Sequence, residues 1–156
     1  MNSDNYKGIS GWLLLLCLNL VIIDPLRNVL GYASSYRNAL AKSYMEIPGN
    51  QEFYILNLCL LVIVMAFSIY SGIALFKRRY NAVKIAKIYL IFEAGSSMLF
   101  GLFPYVAGLP TELAHAMMRG LFINALKILG WNIVWYMYLI KSKRVQATYG
   151  SIGCSS

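Results

Sequence analysis

Four stretches of the chain are almost continuously apolar, at 9–30, 53–76, 85–109 and 117–140. A hydrocarbon core about 30 Å thick is crossed by about 20 helical residues, and each stretch approaches or exceeds that length. The second is the cleanest, with no charged residue from Phe53 to Phe76. A water-soluble fold would need polar sequence to cover four such runs, and a chain of 156 residues has too little left over. The pattern predicts an all-α membrane protein: one domain over 1–149 built as a bundle of four transmembrane helices, with a flexible cytoplasmic tail at 150–156.

Polar and small residues divide these runs further. Asp24-Pro25 in the first run reads either as a helix start, with an acidic cap before proline, or as a kink at a residue that lacks a donor. Beyond it Tyr32, Tyr36, Leu40 and Tyr44 recur every four residues. Tyrosine favours the headgroup level, so the spacing predicts a short amphipathic helix along the outer surface, ended by the turn signal Pro48-Gly49-Asn50. In the second run Ser68 and Gly72 form a small-xxx-small pair that lets another helix approach closely, and Ser97 with Gly101 repeats it in the third. Pro110-Thr111 offers an N-cap for the fourth. Trp12, Trp135, Tyr136 and Tyr138 are expected at the inner interface, and Phe53, Tyr54 and Tyr105 at the outer one.

Charge sets the orientation. The formal net charge is +8, a value that in a soluble protein raises the question of nucleic acid. Here the cations cluster at the ends of the apolar runs: Lys7 before the first, Lys77, Arg78 and Arg79 and then Lys84 and Lys87 after the second, and Lys141, Lys143 and Arg144 after the fourth. Loops rich in Lys and Arg stay in the cytoplasm. Both termini and the middle loop are therefore expected inside, in contact with anionic headgroups, and no nucleic-acid partner is implied. Cys17 and Cys59 fall at different depths, too far apart to bond, and Cys154 does not fit a prenylation box, so all three read as free thiols. The stretch from Lys7 through Trp12–Ile23 has some features of a signal peptide, but Asp24, Pro25 and Arg27 interrupt the approach to the cleavage-like Gly31-Tyr32-Ala33, and the first run reads as a retained span.

Ionisable residues within a membrane are costly and need a reason. Counting 1.5 Å per residue from the cytoplasmic ends puts Asp24 and Lys127 both about 20 Å up. An ion pair between the first and fourth helices is then possible, with Arg27 the other partner for Asp24. Glu93 counts to about 9 Å above Lys87, near Asn19, Ser68, Ser96 and Asn132. Two polar layers are expected: an outer charged one and an inner hydrogen-bonding one holding Asn19, Glu93 and Asn132. On the fourth run Gly120, Asn124, Lys127 and Trp131 share a stripe roughly 60° wide. With Arg27 and Arg119 this makes a candidate seat for an anionic lipid or small solute. The plainer roles are interface anchoring, snorkelling of Lys127 and packing of Asn124 and Trp131. Glu93 is either a proton-handling carboxylate or a hydrogen-bonded member of the bundle.

One histidine and no Cys-x-x-Cys motif leave metal and haem ligation without support. There is no Gly-rich phosphate loop and no assembly of Ser, His and Asp for nucleophilic catalysis. No catalytic residue, metal or cofactor is predicted.

The two ends carry a family pattern. Gly8-Ile9-Ser10-Gly11-Trp12-Leu13-Leu14-Leu15 with Pro25-Leu26, and Trp135-x-x-Tyr138 followed by Ser142-Lys143-Arg144-Val145-x-x-Thr148-Tyr149, resemble the bacterial inner-membrane family catalogued as domain of unknown function 2569. Tyr149 stands where that pattern usually ends in phenylalanine. The resemblance spans nearly the whole chain and implies a four-helix protein of the bacterial inner membrane, but it transfers no activity. The leading expectation is a non-enzymatic accessory or interaction subunit that packs against another membrane protein or a second copy of itself. The alternative is binding or transport of an anionic lipid or small solute through a polar cavity in the outer half of the bundle.

Overall fold

The structure, a computed structural model, describes residues 11–42 and 44–149. Lys7, Cys154, the opening Gly8-Ile9-Ser10 and the tail at 150–156 lie outside the described residues. Among the described residues the secondary structure is helical throughout. Helix α1 runs Trp12–Ala41, a 3₁₀ turn covers Tyr44–Glu46, and α2 spans Asn50–Phe76. These are followed by α3 (Ala82–Phe100), the short α4 (Phe103–Val106), α5 (Thr111–Lys141) and α6 (Lys143–Tyr149). Three of them, α1, α2 and α5, are long and apolar enough to cross a membrane. Helix α3 has 19 residues and carries Lys84, Lys87 and Glu93.

The first apolar run neither breaks nor starts a new helix at Pro25. Residues Asn19–Ile23 form a π turn, in which the Asp24 N–H donates to the Asn19 carbonyl. Proline has no N–H for the carbonyl four residues back and crowds that carbonyl, and one wide turn relieves both effects while the helix goes on to Ala41. Among the described residues no separate amphipathic helix therefore exists in the first loop. The tyrosine stripe is a continuation of α1. Tyr32 and Tyr36 stack at 6.0 Å and both meet the Tyr54 ring of α2 edge-on, while the Tyr54 hydroxyl donates to the Ser35 carbonyl at 3.0 Å. Tyr44 falls beyond the helix, in the 3₁₀ turn.

The two small-residue pairs behave differently. A Cβ placed on Gly72 would come within 2.5 Å of Val21 Cγ2 and 3.1 Å of Leu20 Cβ, and Ser68 Oγ donates to the Leu20 carbonyl at 2.7 Å. This pair seats the π turn of α1 against α2. Gly101 instead meets only its own turn, because α3 ends at Phe100. The third run is thus a helix plus the short α4, with glycine a poor helix former and Pro104 tolerated in the first turn of α4. Helix α5 begins at Thr111, beside the Pro110-Thr111 start signal and six residues before the apolar run at 117, with Pro110 and not Thr111 at the cap position.

Two apolar clusters hold the ends. At the end that carries Lys77 and Lys141, here the basic end, Leu13, Leu16, Leu75, Tyr89, Trp135 and Leu139 are buried together with Val145 and Tyr149 of α6. Trp135, expected at an interface, lies inside this cluster, with edge-on contacts to Trp12 at 6.4 Å and Trp131 at 5.7 Å. At the opposite, loop end Phe53, Tyr54, Leu109 and Ala114 pack with Tyr32, Phe100, Phe103 and Leu121.

Candidate functional site

Between the two clusters lies a cavity of about 620 Å³. Helices α2 and α3 form its back wall through Asn57, Leu60, Leu61, Val64, Glu93, Ser96, Ser97 and Phe100, all buried or half-buried. Helix α1 contributes Arg27, Asn28, Gly31, Tyr32 and Ser35, and α5 contributes Leu121, Asn124, Ala125, Lys127, Ile128 and Trp131. The wall is mixed: two cations, a carboxylate, three asparagines and three serines are set among aliphatic and aromatic side chains. Such a mixture of apolar surface and a few polar groups is typical of a ligand pocket.

A polar network forms the floor. Asn19 Nδ2 donates to Asp24 Oδ2 at 2.8 Å. In a regular helix residues five apart diverge by about 140°, so this bond depends on the π turn between them. Arg27 Nη2 lies 3.1 Å from Asp24 Oδ1, an ionic contact without hydrogen-bond alignment. It also lies 3.4 Å from Glu93 Oε1. Asn132 Nδ2 donates to Glu93 Oε2 at 3.0 Å and to the Leu90 carbonyl at 3.1 Å. Asn19, Asp24, Glu93 and Asn132 are all buried. The two expected polar layers are therefore one network, because the long Arg27 side chain bridges the charged level and the hydrogen-bonding level. Asp24 pairs with Arg27 on its own helix and not with Lys127.

Charge within the site divides in two. Arg27 is engaged by two carboxylates, whereas Lys127 forms no ion pair among the described residues. Lys127, Asn124 and Trp131 are exposed on the α5 side of the mouth, as are Arg27, Gly31 and Ser35 on the α1 side.

Of the residues singled out from the sequence, Arg27, Glu93, Asn124, Lys127 and Trp131 line the cavity, and Asn19, Asp24 and Asn132 support its floor. Arg119 does not line it; eight residues before Lys127, it is turned about 80° around the helix. Gly120 also falls outside the lining. On the α1 face Arg27 is an expected site residue, whereas Asn28, Gly31 and Ser35 are not. The i, i+4 and i+8 spacing of that face carries the signal, masked by assigning that stretch to a surface helix. Elsewhere, the exposed Tyr105 hydroxyl and His115 Nδ1 stand 3.2 Å apart. Among the described residues no three His, Cys, Asp or Glu side chains gather as a metal site.

Over residues 6–150 the chain matches the family described as Protein of unknown function (DUF2569), and it belongs to that family. No curated protein and no solved structure matches it.

Proposed function

We propose that this member of the family is a non-enzymatic integral membrane protein that binds an anionic group, carried by a lipid or a small solute, in the cavity between its long helices. The observation that carries this reading is the placement of Lys127, which forms no ion pair among the described residues, at a preformed cavity of mixed polar and apolar lining within an apolar helical body. A cation left in a hydrocarbon environment is costly, and an anionic ligand offsets that cost.

The proposed setting is the bacterial inner membrane, crossed four times with both termini in the cytoplasm. Helix α3 serves as the third span: Lys84 and Lys87 sit near its basic end, and Glu93 is held by Asn132 and Arg27. The basic end then faces the cytoplasm by the positive-inside rule, and the cavity lies in the outer half.

The test is thermal unfolding of detergent-solubilised protein with added anionic phospholipid, zwitterionic phospholipid of the same chains, or inorganic phosphate. Stabilisation by an anionic additive that the zwitterionic lipid does not give, and that Lys127→Ala removes, supports the reading. Equal responses to all three additives, or an unchanged response in Lys127→Ala, count against it.

The accessory-subunit reading has weaker geometric support. Of the two small-residue faces that motivate it, the one made by Ser68 and Gly72 is occupied by α1 of the same chain.

A further inference from the structure

The way into the cavity narrows the class of ligand. Helix α1 packs on α2, α2 on α3, and α3 on α5, but α1 and α5 make no comparable contact with each other. They meet at the basic end, where the Trp12 and Trp135 rings touch, and are separated above it by the cavity. At the loop end Tyr32, Phe100 and Leu121 both pack on the apolar cluster and line the cavity. Both ends along the helix axes are thus packed with apolar side chains, and the open side is the gap between α1 and α5. Its rim carries Arg27, Gly31 and Ser35 on the α1 side and Asn124, Lys127 and Trp131 on the α5 side. In a bilayer that gap opens onto hydrocarbon and not onto water.

We infer that the ligand is a membrane lipid with an anionic phosphate headgroup, which enters sideways between α1 and α5 and places its phosphate against Lys127 and Asn124. This rests on the binding reading above and adds to it the route and the class. A Cβ at Gly31 would meet nothing within 4 Å, so this glycine is not required for helix contact. It keeps the gap clear at its α1 rim. The acyl chains remain in or beside the gap, against the aliphatic wall of Leu60, Leu61 and Ile128. A soluble anion would have to cross hydrocarbon to reach the same place.

The experiment uses the full chain with Trp12→Phe and Trp135→Phe, leaving Trp131 at the cavity as the only tryptophan. It is reconstituted in phosphatidylcholine vesicles containing a minor fraction of either brominated phosphatidylglycerol or brominated phosphatidylcholine. Bromine quenches Trp131 on contact. Expected is a preference of about fivefold for quenching by the anionic lipid, the order of one basic side chain's attraction for a headgroup. Lys127→Gln should abolish the preference and Gly31→Phe should reduce it to the same level, while Gly31→Ala should retain it. Folding of each variant is checked by helical circular dichroism and by a single gel-filtration peak.

If Gly31→Phe keeps the full preference while Lys127→Gln loses it, the cavity binds lipid but the side route is wrong. If inorganic phosphate in detergent stabilises the protein through Lys127 and no lipid preference is seen, the site stands and its lipid ligand is overturned. No lipid preference and no response to phosphate overturn both. Discrete dimers in which Trp131 is shielded from either brominated lipid would make a second copy the occupant of the gap, and would also overturn the inference.

Discussion

Arg27 of α1 reaches Glu93 of α3 at 3.4 Å while lying 3.1 Å from Asp24 on its own helix. Both separations exceed the 2.7–2.9 Å of a tight charge-assisted bond, so one guanidinium is shared between two buried carboxylates. Glu93 has a second anchor in Asn132. Glu93→Ala leaves the Asn132 amide and Arg27 each short of a partner and is expected to destabilise the protein by about 1–3 kcal/mol. Glu93→Gln keeps an acceptor for Asn132 and should lose less than half of that. Thermal unfolding in detergent, followed by loss of the monodisperse gel-filtration peak, gives the order. Equal stability of Glu93→Ala and wild type would mean that the network does not hold α1, α3 and α5 together.

Gly72 and Gly31 should respond in opposite directions to the same added methyl group. At Gly72 the new atom meets Val21 Cγ2 at 2.5 Å and the Val21 backbone nitrogen at 3.3 Å. Valine is stiff at χ1, so relief requires moving α1, and Gly72→Ala is expected to cost about 1–3 kcal/mol. Gly31→Ala enters open space within a helix and should stabilise by roughly 0.5–1 kcal/mol. Unfolding temperatures of the two variants, measured side by side, decide it. A neutral Gly72→Ala would show that the π turn does not sit tightly on α2.

The contrast between these glycines shows what the sequence could and could not disclose. Apolar run length reports burial in hydrocarbon and not helix ends: the first helix continues to Ala41 and the third stops at Phe100. Ser68 and Gly72 were legible as a contact face because small residues have few other uses in an apolar helix. Depth counted from the rise per residue sets Asp24 and Lys127 apart from Glu93 and Asn132, and the reach of the Arg27 side chain joins Asp24 to Glu93 across those levels. Direction around the helix was not legible. The π turn at Asn19–Ile23 rotates everything after it, and nothing in the sequence distinguishes it from a kink or a new start at Pro25. Arg27 reaches Asp24 because the two stand three residues apart on one helix face. The inclusion of Asn28, Gly31 and Ser35 in the cavity follows from that rotation.

Tyr149 ties the last helix to the second. Its hydroxyl donates at 2.7 Å to the carbonyl of Leu75 in the final turn of α2, which also accepts the Arg78 N–H at 3.1 Å. Tyr149→Phe keeps the packing and loses this bond, an expected cost of about 0.5–1.5 kcal/mol. Burial raises the phenol's pKa above its ordinary value of 10.0, so the docked form is the neutral one. Its contribution is complete below the free tyrosine pKa and is lost as pH rises past it. Proteolysis of the tail segment should therefore accelerate in Tyr149→Phe at neutral pH, and in wild type only at strongly alkaline pH. A cleavage rate identical in the two proteins at neutral pH would show that the hydroxyl bond does not secure α6.

Native mass spectrometry of protein released from its own membranes tests cavity binding most directly. The expected spectrum shows wild type carrying one anionic phospholipid through activation energies that strip surface lipid, and Lys127→Ala losing that lipid at the lowest of them. A bare wild-type polypeptide under gentle release, or a lipid retained equally by Lys127→Ala, would contradict an anionic-lipid site at Lys127.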